Sequence, residues 1–178
     1  MLDATVAQLV EHGFDALSID AVAERSGVHR TTVYRRWRDV GGLLADVLHA
    51  ATRDDWRPPD TGSLEGDLVA LNRELYTALT ADPPITTALI AASFRSPHAA
   101  DALTAFWTDR YARCAVIVTR AMDRGEIPAR TDPHRLLVAA TAPLYFEVVL
   151  RRTPAPRRLA DWSARQAAVA AQAGAFVR

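Results

Sequence analysis

The chain has 178 residues, nearly half of them hydrophobic, and its 21 basic residues, all arginine, balance 21 acidic ones. That length holds one or two small domains with real cores, and a zero net charge excludes a generally basic protein that coats nucleic acid while leaving room for a local patch. A lone cysteine, Cys114, excludes an intrachain disulfide; no Cys/His grouping has metal spacing, and no apolar run nears the roughly 20 residues that span a bilayer.

The start, MLDATVAQLVEHG, has no basic leader and no cleavage site, which predicts a cytoplasmic protein without a membrane partner. Helical patterning follows almost throughout, with no period-two runs and no Asn-Gly turns. Leu2, Val6, Leu9 and Val10 share the face of a first helix that Gly13 ends. Ser18 caps a short second helix through Ile19, Val22 and Ala23, stopped at Ser26-Gly27. A third covers Thr31 to Trp37, and Asp39 caps a fourth through Leu43, Leu44, Val47 and Leu48. RPPDTG at 57–62 is the clearest break, after which Ser63 caps a helix carrying Leu64, Leu68, Leu71, Leu75 and Leu79.

A sixth helix runs from Ile85 to Phe94, and Ser96-Pro97 opens a seventh that reaches Arg124 before Gly125. Thr131-Asp132-Pro133 opens an eighth, apolar nearly all round from Leu136 to Leu150, which Pro143 should kink. TPAP at 153–156 precedes a last helix with Trp162, Val169, Phe176 and Val177. The expected fold is all-α with about nine helices.

The stretch RSGVHRTTVYRRW, residues 25–37, carries four arginines and no acid. Two short helices joined by a Gly-containing turn behind a supporting helix make a helix-turn-helix. Gly27 takes the positive φ of the turn, Val28 plugs the core, and Val33 and Trp37, four apart, face inward together. The opposite face presents Arg30, Thr31, Tyr34, Arg35 and Arg38, with Thr32 and Arg36 at its flanks. Arginine neutralises phosphate or grips guanine, hydroxyls bond phosphate, and a threonine methyl meets thymine, so this face suits a major groove of double-stranded DNA. A merely solvated arginine face is the competing reading.

With LDATVAQLVEHGFDALSIDAVAERSGVHRTTVYRRWRDVGGLLADVL in view, the first fifty or so residues resemble the N-terminal domain of TetR family transcriptional regulators. The features that match are Gly-Phe after the first helix, AERSGV, and TVYRRW before the fourth. The resemblance implies a homodimer on a palindromic operator, with residues 1–42 as the DNA-binding domain and 43–178 as the ligand-binding and dimerisation domain; no cofactor is expected. By position, Thr32 and Tyr34 match residues that touch phosphate; Arg30, Thr31 and Arg35 match residues that reach bases or backbone; Ser18 matches a cap that also contacts phosphate.

Three departures stand out. His29 occupies the place of a capping serine, where it is a poorer cap and a candidate DNA contact. Val40 replaces a phosphate-gripping lysine, for which Arg36 or Arg38 is a substitute. No basic arm precedes the first helix, so the arm lies outside this sequence or minor-groove contacts are not used.

Gly41 and Gly42, weak helix formers in the first turn of the fourth helix, are either a hinge or an idle terminus. Along the seventh helix Phe106, Trp107, Arg110, Tyr111 and Cys114 combine apolar bulk with polar tips, as a small-molecule site requires, and Trp56, Asn72, Tyr76, Phe94 and Tyr145 are candidate lining residues from elsewhere. Leu136, Ala140, Leu144 and Val148, with Trp162, Val169 and Phe176, would suit a four-helix seam between two copies. The function expected is a repressor released from its operator by a small, largely apolar effector. A protein partner in place of the effector is the alternative. An enzyme is a remote one, because no nucleophile–base pair, metal cluster or phosphate loop is legible.

Overall fold

Side-chain caps set most of the helix starts. In a computed structural model, which describes residues 1–53 and 55–178, Ser18 accepts from the Ala21 N–H, Asp39 from Gly42, Ser63 from Gly66 and Asp132 from Arg135. Each satisfies an N–H that the first helical turn leaves without a partner. Among the described residues nine α-helices form: α1 (Leu2–His12), α2 (Ile19–Ser26), α3 (Arg30–Arg36), α4 (Val40–Thr52), α5 (Leu64–Leu79), α6 (Ile85–Ser93), α7 (Pro97–Asp123), α8 (Pro133–Leu144) and α9 (Arg158–Gln172). The expected all-helical class is what the chain adopts, and α3 begins one residue earlier than its pattern indicates.

The chain divides into two compact units, Met1–Asp55 with Ala81–Asp109, and Trp56–Thr80 with Arg110–Arg178. The first has its own core, in which Leu9, Leu17, Ile19, Val22, Val33, Trp37, Leu43 and Leu44 are buried together with Ala92 and Ala99. Bidentate bonds of 2.6 Å from Arg25 to Glu11 tie α2 to α1. The second unit packs α5, α8 and α9 around Leu64, Leu68, Ile117, Leu136 and Leu137. Its α9 meets the others through Ala164, Ala167, Ala168 and Ala171, residues small enough to let helix backbones approach closely.

Two expectations are corrected in the second unit. The last helix stops at Gln172; Gly174 turns left-handed at φ 80°, and Phe176 and Val177 lie in a tail that folds back. The tail is fastened by bonds from Asp132 N–H to the Phe176 carbonyl (2.8 Å) and from Arg178 N–H to the Arg130 carbonyl (3.0 Å). The eighth helix does not carry α-helical winding through to Leu150. Pro143 supplies no N–H to the turn before it, and from Tyr145 to Leu150 the winding widens to a π-helix that Arg151 N–H closes on the Phe146 carbonyl at 2.8 Å.

Asn72 stitches the second core together. It is fully buried on α5, and its amide nitrogen lies within bonding distance of the Ala140 carbonyl (2.8 Å), the Ala160 carbonyl (3.2 Å) and Ser163 Oγ (2.9 Å). Asn72→Ala is expected to lower stability by about 1–3 kcal/mol, read as a fall in urea midpoint, because buried acceptors lose their donor.

Asp132 holds the other fastening. The Arg178 guanidinium, donating at 2.8 Å, and then the Arg135 N–H pull its carboxyl down to about 2. A depressed carboxyl stabilises the fold above its ordinary value and loses that contribution as pH falls through the folded value. The stability gap between the wild type and Asp132→Asn should therefore close between roughly pH 4 and pH 2 in acid titrations of the unfolding midpoint.

Candidate nucleic-acid interface

The expected helix-turn-helix is built around a tight reversal. Gly27 ends α2 in the left-handed region at φ 68°, its N–H bonded to the Ala23 and Glu24 carbonyls, and Val28 N–H also returns to Ala23 at 3.2 Å. That is a helix stop for which glycine is favoured, since a Cβ is strained at this φ. The chain then enters α3, a seven-residue helix. Val33 is completely buried and Trp37 nearly so, and the Trp37 indole donates to Asp46 Oδ2 on α4 at 2.9 Å.

With that side inward, Arg30, Thr31, Thr32, Tyr34, Arg35 and Arg38 are exposed, Tyr34 by 49%. Among the described residues no acidic side chain pairs with Arg30, Arg35 or Arg38. Arg36 differs: its guanidinium lies 4.7 Å over the Trp37 ring and 3.3 Å from Asp46. It is the flanking arginine of the predicted set, drawn toward α4. Ser18 is exposed at the start of α2, where its oxygen accepts from Ala21. His29 does cap α3: its Nδ1 lies 3.4 Å from the Thr31 N–H and 2.9 Å from Thr31 Oγ1.

Residues 1–47 match the family described as bacterial regulatory proteins, tetR family, and residues 58–167 match the tetracyclin repressor-like C-terminal domain. The chain belongs to the TetR family. It is 34% identical over 162 residues to the HTH-type transcriptional regulator AqdR of Rhodococcus erythropolis, covering 89% of this chain and 77% of that one. It is 30% identical over 154 residues to the DNA-binding transcriptional repressor TetR of Mycobacteroides abscessus, with 84% and 80% covered. Among solved structures, the TetR family transcription regulator SCO0332 superposes with TM-score 0.71 at 27% identity, over 94% of both chains. SmeT of Stenotrophomonas maltophilia, solved in complex with triclosan, has a TM-score of 0.59 at 20% identity over 99% of this chain and 90% of that one, a likeness of fold. This TetR-family chain is thus a DNA-binding transcriptional regulator, and its relatives' names describe regulators, not enzymes.

In the regulator's second unit, several predicted lining residues come together. Arg110 stacks 4.1 Å over Trp56, whose indole donates to Glu74 at 2.9 Å. The Tyr111 hydroxyl and Thr141 Oγ1 are 2.9 Å apart, and its ring meets His134 edge-on. Burial raises the Tyr145 phenol, which also feels Tyr111, Arg110 and Cys114. Burial pushes the Cys114 thiol up to about 11, so it packs as a neutral apolar group. Tyr76 donates to the Ala155 carbonyl at 2.6 Å, and Asn72 lies within the core. Phe94, 76% exposed, and the edge-to-face pair Phe106–Trp107 belong to the first unit.

The predicted seam residues separate into two groups. Leu136, Ala140 and Leu144 are completely buried within the chain, so their side chains are not available to a second copy; Val148 and Phe176 are partly buried. Trp162 and Val169 are exposed, and so are Val138, Phe146 and Leu150, which sequence reasoning missed. The eighth helix is apolar on every side, so no polar stripe marks which face is outermost.

Gly41 has a packing role. A Cβ there would collide with Ser96 Oγ, the cap of α7, and would press on Asp39 and His98. The Gly42 N–H, then the His98 imidazole, hold the Asp39 carboxyl below its usual range. A Cβ on Gly42 would meet Trp37 at an ordinary 3.5 Å. Gly42→Ala should thus stabilise the fold by up to about 1 kcal/mol. Gly41→Ala should destabilise it, and adding Ser96→Ala should recover part of the loss, which a double-mutant cycle of thermal midpoints measures.

Proposed function

We propose that the chain is a homodimeric repressor that leaves a palindromic operator when a small, largely apolar effector binds, acting in the cytoplasm. Residues 1–42 are assigned to DNA reading and 43–178 to effector binding and dimerisation. The observation that carries the reading is the exposed face of α3, extended by Arg38 just beyond it, on which Arg30, Arg35 and Arg38 have no acidic partner among the described residues and lie next to the exposed Tyr34 phenol. In this reading Arg30, Thr31 and Arg35 face base edges or backbone, Thr32, Tyr34, Arg38 and Ser18 hold phosphates, and His29 and Arg36 flank them.

The dimer face proposed is the exposed apolar strip of Val138, Phe146, Leu150, Trp162 and Val169. Two copies joined by a twofold axis bury that strip against itself and present two reading helices to two half-sites. The effector site proposed is the group of Trp56, Arg110, Tyr111, Cys114 and Tyr145, where aromatic surface surrounds few polar tips.

Tyr34→Phe combined with Arg35→Ala is expected to weaken binding to an in vitro selected duplex by about tenfold or more, and to flatten the slope of log affinity against log salt by roughly 0.9 for each phosphate contact removed. Unchanged binding would contradict the reading face. Phe146→Glu with Trp162→Glu is expected to give a folded monomer by sedimentation, with operator binding lost alongside. A double variant that remains dimeric would place the interface elsewhere.

A further inference from the structure

We propose that His29 is a positioning residue that turns Thr31 into a reader of thymine methyl groups, an inference that rests on the DNA-reading role proposed above. Two adjacent threonines begin the exposed face of α3, and their hydroxyls are treated differently. His29 Nδ1 is 2.9 Å from Thr31 Oγ1 and 3.4 Å from the Thr31 backbone nitrogen. A backbone N–H only donates, so Nδ1 must present its lone pair. The ring proton then sits on Nε2, and the Thr31 hydroxyl is the donor in the shorter bond.

The single hydroxyl proton of Thr31 is therefore engaged inside the turn. It cannot be donated to a phosphate oxygen or to guanine O6 and N7, all of which are acceptors. With Oγ1 turned to the imidazole, the methyl is what this position offers outward, and thymine carries the matching apolar group in the major groove. Thr32 is the contrast. Its backbone N–H donates to the His29 carbonyl at 2.8 Å, and among the described residues its hydroxyl has no partner in the chain, so that proton is free for phosphate. One imidazole thus divides two identical side chains into an apolar reader and a backbone anchor.

The test uses the whole protein and a duplex it selects in vitro. Each thymine of a half-site is replaced in turn by deoxyuridine, which deletes only the methyl. At one position per half-site the wild type should bind about three- to five-fold more weakly, the effect of one buried methyl. Thr31→Val should keep that discrimination and Thr31→Ser should lose it. His29→Asn, which still offers an acceptor to both donors, should retain the preference, whereas His29→Ala should erase most of it while the protein still binds.

If His29 were only a structural cap, its loss would weaken thymine and uracil duplexes alike and leave their ratio unchanged. That result overturns the proposal, as does a Thr31→Ser variant that discriminates like the wild type. A protein that selects DNA with no methyl-sensitive position refutes this inference alone. One that selects no duplex refutes the DNA-reading assignment with it.

Discussion

The outward face of α3 depends on what holds its inward face. Seven residues are too few for a helix to persist in water, since nucleation is unfavourable and so few bonds follow it. Val33, completely buried in the first unit's core, and Trp37, bonded through its indole to Asp46 on α4, hold the segment in place and so fix which side chains face out. With that anchoring in place, the arginines, the threonines and Tyr34 are presented as a rigid set. Without it they would be a mobile basic peptide that binds phosphate and distinguishes nothing.

Charge is distributed by the same logic. Four arginines lie within residues 25–37, yet Arg25 is committed to Glu11 and Arg36 to Asp46. These exposed pairs add little stability, but they define the patch by removing two cations from it. Arg30 and Arg35 are left, joined by Arg38 beyond Trp37. A chain of zero net charge can therefore present a positive face because its acids are used elsewhere, at caps such as Asp39 and Asp132 and in pairs such as Asp161 with Arg73.

Most of the helix plan was legible because its signals are local. Ser18, Asp39, Ser63 and Asp132 are caps whose function follows from chemistry a few residues long, and Gly27 marks its turn in the same way. Histidine is a poorer cap than serine by residue type, and the His29 ring nevertheless takes the capping place, its Nδ1 3.4 Å from the Thr31 backbone nitrogen. What the sequence could not supply was phase where every side of a helix is apolar. Along α8 the leucines at 136 and 144 and the valine at 138 look equivalent in sequence, and only packing against α5 and α9 buries the first two and exposes the third. The role of Gly41 was equally hidden, because the atom it makes room for, Ser96 Oγ, is distant in sequence.

The second unit inverts a common intuition about which residues lie inside. On α9 the alanines at 160, 164, 167, 168 and 171 are buried, whereas Trp162 and Val169 face out. Alanine on the inner face lets α9 lie close to α5 and α8, close enough for Asn72 on α5 to reach carbonyls on α8 and α9. Bulk there would force the helices apart and break those bonds. The large side chains are thus excluded from the interior by close packing and collect on the opposite face, with Arg158 covering one side of the Trp162 ring at 4.9 Å. An apolar strip of that kind gains little from water and much from a matching surface, and a second copy of the same chain is a matching surface always present at equal concentration. The inner and outer faces of α9 are therefore one design: small residues set the spacing within a chain, and the bulk they displace is left on the exposed face, the one proposed above for contact between chains.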